Sequence, residues 1–270
     1  MFALPFALAA MAVAARETRG WPGARTFLLI LAAMVCARTA AMGFNRIVDR
    51  NLDALNPRTA GRHLPTGRMK LMSALVVVLM SAVGLVLVSY FINWICFVLS
   101  PVALAIIFLY SFTKRITDFS HFFLGLSLGI APVGAWLAVR GQFEWPPVVL
   151  ALAVVFWLVG FDIIYATQDY ESDKQLGLRS LPVRWGIAGG LRFARVAHAA
   201  MAIALLGFGL ISSLRMPYYV GLSIIALCLV VQHVVARKRD PVSMNLAFFR
   251  MNAIISVVFL AAVVADVGWR

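Results

Sequence analysis

The chain has 270 residues, of which 63% are hydrophobic and 13% charged, with a formal net charge of +13. A soluble domain has about half apolar and about a quarter charged residues, so this composition cannot cover a core with a water-facing surface. The basic excess sits in short loops between apolar runs, so it argues for a lipid-embedded chain and against a nucleic-acid partner.

A membrane-spanning helix needs roughly 20 mostly apolar residues. Nine stretches qualify or nearly so: 2–15, 26–45, 71–91, 93–112, 121–139, 146–166, 190–211, 217–236 and 248–266. The first is short and begins at Met1 with no polar flank. It resembles a signal peptide poorly, lacking a basic n-region and a good cleavage site, and a true start upstream of Met1 is the preferred reading. The expected fold is all-α, a single polytopic transmembrane domain over 1–270 with about nine helices. Cys36, Cys96 and Cys228 lie within apolar stretches and read as small buried hydrophobes, with no metal or disulfide spacing.

The loops after the second, fourth, sixth and eighth stretches hold most of the basic residues. They carry Arg46, Arg50, Arg58, Arg62, Arg68 and Lys70, then Lys114 and Arg115, then Lys174, Arg179, Arg184, Arg192 and Arg195, and finally Arg237, Lys238, Arg239 and Arg250. The opposite loops have only Arg16, Arg19, Arg25, Arg140, Arg215 and Arg270. The positive-inside rule makes the richer face cytoplasmic. An acidic motif closes the second and the sixth stretch, and a Lys/Arg cluster follows the fourth and the eighth. That spacing suits a duplicated four-helix unit plus one helix.

Of the eleven acids, six fall in two short stretches on this same face. The first reads Asn45-Arg-Ile-Val-Asp49-Arg-Asn-Leu-Asp53. Steps of four keep side chains on one helix face, so Asn45, Asp49 and Asp53 form a stripe about 12 Å long. The second reads Asp162-Ile-Ile-Tyr165-Ala-Thr-Gln-Asp169-Tyr-Glu-Ser-Asp173 and again selects one face. Like charges at i, i+4 destabilise a helix, and carboxylates at a membrane rim are costlier still. Something cationic must hold them. Oxygen ligands on two facing helices suit Mg²⁺, which keeps waters and shares itself with phosphates; the plainer alternative is pairing of these acids with neighbouring arginines.

The adjoining loops offer an anion cradle through Arg58, Arg62, Lys114, Arg115 and Arg179. Arg38 stands two turns before Asn45 on the same face and deeper in the membrane. A buried charge there should face a cavity and a partner, either a substrate carboxylate or an internal acid such as Asp162. His63, His121, His198 and His233 show no ligand spacing and read as ordinary polar or boundary residues.

The paired motifs Asn-x-x-x-Asp-x-x-x-Asp and Asp-x-x-Tyr-x-x-x-Asp-x-x-x-Asp resemble the two signatures of the UbiA superfamily of intramembrane prenyltransferases. The wording of Ala37-Arg38-Thr-Ala-Ala-Met, Asn56-Pro-Arg58-Thr-Ala and Phe248-Phe-Arg250-Met-Asn252 is similar to the branch that makes 4-hydroxybenzoate or menaquinone (futalosine-route) polyprenyl products. The resemblance implies that Asn45, Asp49, Asp53, Asp169 and Asp173 hold two Mg²⁺ ions on a polyprenyl diphosphate. It further implies that Arg62, Lys114, Arg115 and Arg179 contact phosphate oxygens, and that Arg38 orients an aromatic acid acceptor. Asp162 and Tyr165 would line the place where the carbocation forms, in an enzyme of quinone biosynthesis in the bacterial inner membrane. The polar stretch that usually precedes the first helix of the family is missing here.

Two other classes remain open from the residues. Intramembrane carboxylates and an apparent repeat also suit a cation-coupled transporter, although these acids gather at one side and not at the midplane. A lipid-head-group transferase would share the metal site but would not need Arg38.

Overall fold

The computed structural model describes residues 3–237 and 246–268. Among these the secondary structure is helical: α1 (Ala3–Ala14), α2 (Ala24–Val48), α3 (Arg50–Leu55), α4 (Leu71–Ile92), α5 (Trp94–Ile116), α6 (Ser120–Arg140), α7 (Trp145–Ala166), α8 (Tyr170–Gln175), α9 (Leu181–Ile211), α10 (Met216–Ala236) and α11 (Met251–Gly268). Among the described residues, eight helices are long and apolar enough to cross a membrane. The first of the nine expected stretches, 2–15, is α1, which is too short to count among them.

That short helix is the most enclosed of the set. Phe6, Ala7, Ala9, Ala10 and Val13 are fully buried, and α1 packs between α6 and α11. A helix apolar on every side is expected to be buried on every side. Helix α7 is the other central element: Leu150, Val154, Trp157, Ile163 and Ile164 are buried, with α6 on one flank and α9 on the other. By contrast, α4 turns Met72, Leu79, Met80 and Leu87 outward, as a lipid-facing helix does.

Local signals fix the helix starts. Pro146, Pro182 and Pro217 sit in the first turns of α7, α9 and α10, where a missing N–H costs nothing. The Asn93 side chain caps α5 by accepting from the Cys96 N–H at 2.9 Å.

The expected seventh stretch, 190–211, is corrected: α9 begins at Leu181, capped by Ser180. A bend at Gly186, whose φ of +71° suits a residue without Cβ, joins the short first turn Leu181–Trp185 to the longer apolar span. Arg184, Arg192 and Arg195 therefore lie on a helix and not in a loop. Further along, a Cβ at Gly160 would overlap the His198 ring, so glycine is what lets α9 approach α7.

The charge split expected from the sequence is a physical segregation. The ends of α2, α5 and α7 meet at one end of the bundle, where Arg115 reaches Asp49 and Arg58 reaches Asp169. At the other end Arg140 pairs with Glu17, and Arg16 donates to the Ser212 carbonyl. Lys238, Arg239 and Arg270, counted in the split, lie outside the described residues.

Candidate active site

The first motif is not one unbroken helix. Helix α2 ends at Val48, Asp49 has φ −90° and ψ 3°, and α3 resumes at Arg50. The i, i+4 bonding carries across the break, with Asp53 N donating to Asp49 O at 2.7 Å, so the stripe survives. The Asn45 amide donates to Asp49 Oδ2 at 3.0 Å. Beyond it, Asn56-Pro57-Arg58 forms an Asx turn in which Arg58 N donates to Asn56 Oδ1 at 2.9 Å. That turn aims Arg58 across the site.

The second motif is broken likewise, by a tight 3₁₀ turn at Thr167–Asp169 before α8. Asp169 and Asp173 are both buried, as is Asp53. The two motifs face each other, and each carboxylate has its own base. Arg58 Nη2 reaches Asp169 at 2.6 Å, Arg62 Nη1 reaches Asp53 at 2.7 Å, Arg115 Nη2 reaches Asp49 at 2.8 Å, and Lys114 Nζ lies 3.7 Å from Asp173. Lys114 and Arg115 come from the last turn of α5, not from a loop. Burial holds the Asp49 carboxyl above its ordinary range, with Arg115 pulling the other way. For Arg58, burial lowers the guanidinium pKa, but the hydrogen bond and charge of Asp169 outweigh it and the net shift is upward.

These groups line a polar cavity of about 180 Å³ together with Ser111, Asp162 and Tyr165. Arg58 Nη1 donates to the Tyr165 hydroxyl at 2.6 Å and its guanidinium carbon lies 4.9 Å from the ring centroid. A second cavity, of about 610 Å³, is lined mostly by apolar side chains of α1, α2, α4, α5 and α6. Asn45 and Tyr110 border both cavities, so the polar one adjoins the apolar one. Arg38 lines the apolar cavity, with no hydrogen bond or ion pair among the described residues. The internal alternative for it, Asp162, is taken by His121 at 2.6 Å.

A chamber lined by acids and bases beside a larger apolar one suits a ligand with a charged head and an apolar tail. The UbiA prenyltransferase family matches residues 3–254, nearly the whole chain. This chain belongs to the UbiA prenyltransferase family. A 4-hydroxybenzoate octaprenyltransferase of Alcanivorax borkumensis is 34% identical over 224 residues, covering 82% of this chain and 76% of that one. One from Methylobacillus flagellatus is 30% identical, covering 92% and 83%. Among solved structures, the apo UbiA homologue from Aeropyrum pernix K1 aligns with a TM-score of 0.88 at 28% identity, covering 98% of this chain and 96% of that one. The fold is shared too with a UbiA homologue from Archaeoglobus fulgidus bound to DMAPP and Mg²⁺, at TM-score 0.73 and 22% identity, covering 98% and 97%.

The UbiA site tests its own fit for a divalent cation. Among the described residues no three acids, histidines or cysteines converge on one point, because each carboxylate is drawn to its base. Yet Asp173 Oδ2 and Ser111 Oγ are buried there without a hydrogen-bond partner. Mg²⁺ asks for one or two carboxylates, waters and phosphate oxygens and not for a protein-only cage. Acids on both walls, with an Asp173 oxygen that accepts no hydrogen bond and has only Lys114 at 3.7 Å beside it, fit that demand.

Of the residues singled out from the UbiA motifs, Asn45, Asp49, Asp53, Arg62, Lys114, Arg115, Asp162, Tyr165, Asp169 and Asp173 line one cavity. Arg179 does not. Its guanidinium donates to Ile116 O and its N–H to Lys114 O, both at 2.8 Å, so it clamps the end of α5 that carries Lys114 and Arg115. Arg58, one of the five bases expected to form an anion cradle, lines the same cavity. Phe248, whose ring stacks on Tyr165 at 4.0 Å, belongs to a stretch that carries the family resemblance but had no assigned role there, and His121 had no signal beyond its residue type.

Proposed function

We propose that this protein transfers a polyprenyl group from its diphosphate to the ring of an aromatic acid of the 4-hydroxybenzoate or dihydroxynaphthoate type, in quinone biosynthesis. The observation that carries the proposal is the junction at Asn45 and Tyr110, where the charged cavity meets the apolar one. The diphosphate occupies the first, the isoprenoid extends into the second, and the allylic carbon lies at the seam.

Asn45, Asp49, Asp53, Asp169 and Asp173 would hold Mg²⁺ with the diphosphate, and the bound ion would supply positive charge against that of the leaving group. Arg62, Lys114 and Arg115 donate to the phosphate oxygens, joined by Arg58 once it leaves Asp169, and so stabilise the same charge. As the allylic C–O bond breaks, its electron pair stays with the diphosphate. The apolar cavity keeps water from the cationic carbon. Arg38 holds the acceptor's carboxylate and presents the electron-rich ring, whose π electrons form the new C–C bond. Asp162 then takes the ring proton, and the C–H electron pair restores aromaticity. Among these acids Asp162 is the suitable base, because the other four are clamped by guanidinium or ammonium groups and it is not.

The motif face is cytoplasmic in this reading, and the protein lies in the bacterial inner membrane. The deciding assay offers purified enzyme 4-hydroxybenzoate and a dihydroxynaphthoate with several polyprenyl diphosphates and Mg²⁺. A metal-dependent prenylated product supports the proposal. Absence of transfer to either acceptor with every diphosphate refutes it.

A further inference from the structure

His121 occupies the first turn of α6, fully buried. Its Nδ1 lies 2.6 Å from Asp162 Oδ2 on α7, and its Nε2 has no hydrogen-bond partner. Asp162 Oδ1 accepts no hydrogen bond from any described residue, and Asp162 borders the polar cavity. One oxygen of this carboxylate is thus tethered from behind and the other is left for the cavity.

We propose that His121 is the positioning residue for Asp162, fixing through an Nδ1–H donor the carboxylate that removes the proton from the prenylated ring. The inference rests on the reading of Asp162 as the proton acceptor. Three features favour it. A carboxylate clamped by a guanidinium, as Asp169 is by Arg58, is a poor base, whereas an imidazole N–H orients without cancelling the charge outright. The orphaned Nε2 is best left as a bare lone pair, which puts the proton on Nδ1 where it can be donated; this tautomer is inferred from the bonding. The imidazole itself is sealed from the cavity, so it acts through Asp162 and does not touch the substrate. In the step, the ring C–H bond breaks, its proton goes to Asp162 Oδ1, and its electron pair returns to the ring. His121 keeps its proton throughout and holds Oδ2 still. A misplacement of about 1 Å in such a group can cost on the order of 100-fold in rate.

The test uses the full-length enzyme in detergent or nanodiscs, with acceptor deuterated at the ring position that is substituted. In the parent enzyme the proton leaves after the slow C–O cleavage, so rates with the two isotopomers should be nearly equal. His121→Phe keeps the ring's bulk and removes the donor. It should lower kcat about 10- to 100-fold, leave both KM values within about twofold, and expose a primary isotope effect of about 2 or more as deprotonation becomes slow. His121→Asn, whose amide nitrogen can stand near the Nδ1 position, should recover most of kcat and lose the isotope effect. Equal loss in the two variants, or a loss of kcat without an isotope effect, overturns the proposal. So does parent-like turnover in His121→Phe. If His121→Phe does not fold, His121→Ala is read in the same way, and failure of both to fold assigns His121 to folding and overturns the proposal. Asp162→Asn separates the two readings: if it turns over normally, Asp162 is not the base, whatever His121 does.

Discussion

Arg58 and Asp169 are joined by a two-point fork, Nε to Oδ1 at 2.8 Å and Nη2 to Oδ2 at 2.6 Å, across 111 residues of sequence. Both carboxylate oxygens are engaged, and Asn56 adds a third donor at 3.2 Å. In the proposed reading, a divalent cation seeking Asp169 would have to displace this arginine, and a bound diphosphate would offer the arginine another anion.

Arg58→Ala should therefore separate metal binding from diphosphate binding. Without diphosphate, Mn²⁺ as a probe should bind the variant more tightly, by roughly 10-fold for one charged hydrogen bond lost as a competitor. Polyprenyl diphosphate should bind more weakly by a similar factor. Calorimetric titration of each reads both effects, and unchanged Mn²⁺ affinity would show that the fork does not compete. Arg58→Lys should restore only part, since a point charge cannot match both oxygens.

Alanine at Asp49, Asp53, Asp169 or Asp173 should reduce turnover by roughly 100-fold or more, the scale on which lost stabilisation of leaving-group charge is felt. Expression and helix content should stay near the parent's. Near-normal rates in two of the four variants would end the reading in which both walls hold metal.

Arg38 lines the apolar cavity without a partner among the described residues. Arg38→Ala should raise the KM for the aromatic acid about 10- to 100-fold, the loss expected for a charged hydrogen bond of roughly 1.5–3 kcal/mol. Binding of the diphosphate should hardly change. A decarboxylated acceptor should be a poor substrate for the parent and indifferent to the substitution. Equal weakening of both substrates would remove Arg38 from acceptor recognition.

Orientation is open to a direct measurement. A reporter inserted near Gly61 should read as cytoplasmic and one fused after Arg270 as external. The reverse pattern would leave the basic excess on the motif face without an explanation.

Asn252 ties the roof of the site to its core. It is fully buried, accepts from Trp157 Nε1 at 3.0 Å and Gln232 Nε2 at 3.3 Å, and donates to Phe248 O at 2.7 Å. Asn252→Leu should cost about 1–3 kcal/mol, the usual penalty for stripping a buried polar group of its partner. It should also loosen Phe248 from Tyr165. A thermal-unfolding midpoint equal to the parent's would count against this network as a source of stability.

The sequence by itself determined that the chain lives in lipid, that its helices number about nine, and that two carboxylate stripes share one basic face. Each of these rests on composition or on a period within one helix, and both are local. It also placed Asn45, Asp49, Asp53, Asp169 and Asp173 together, since paired motifs at helix ends on one face can meet at only one end of a bundle. Only the tertiary structure decided which base holds which acid. The Arg58–Asp169 fork, the His121–Asp162 contact and the packing of Phe248 on Tyr165 each join different helices. A hydrophobic period says which way a side chain faces, but not which residue of a neighbouring helix stands at the same depth. The early start of α9 escaped for a related reason: Arg184 and the glycines Gly186, Gly189 and Gly190 interrupt its first turns, so no unbroken apolar run announced it. Arg179 shows the converse. Its charge and its place beside the second motif suggested a phosphate ligand, yet the fold spends that guanidinium on the backbone of α5, because the chain leaving α8 passes beside the C-terminal end of that helix, where free carbonyl oxygens need donors.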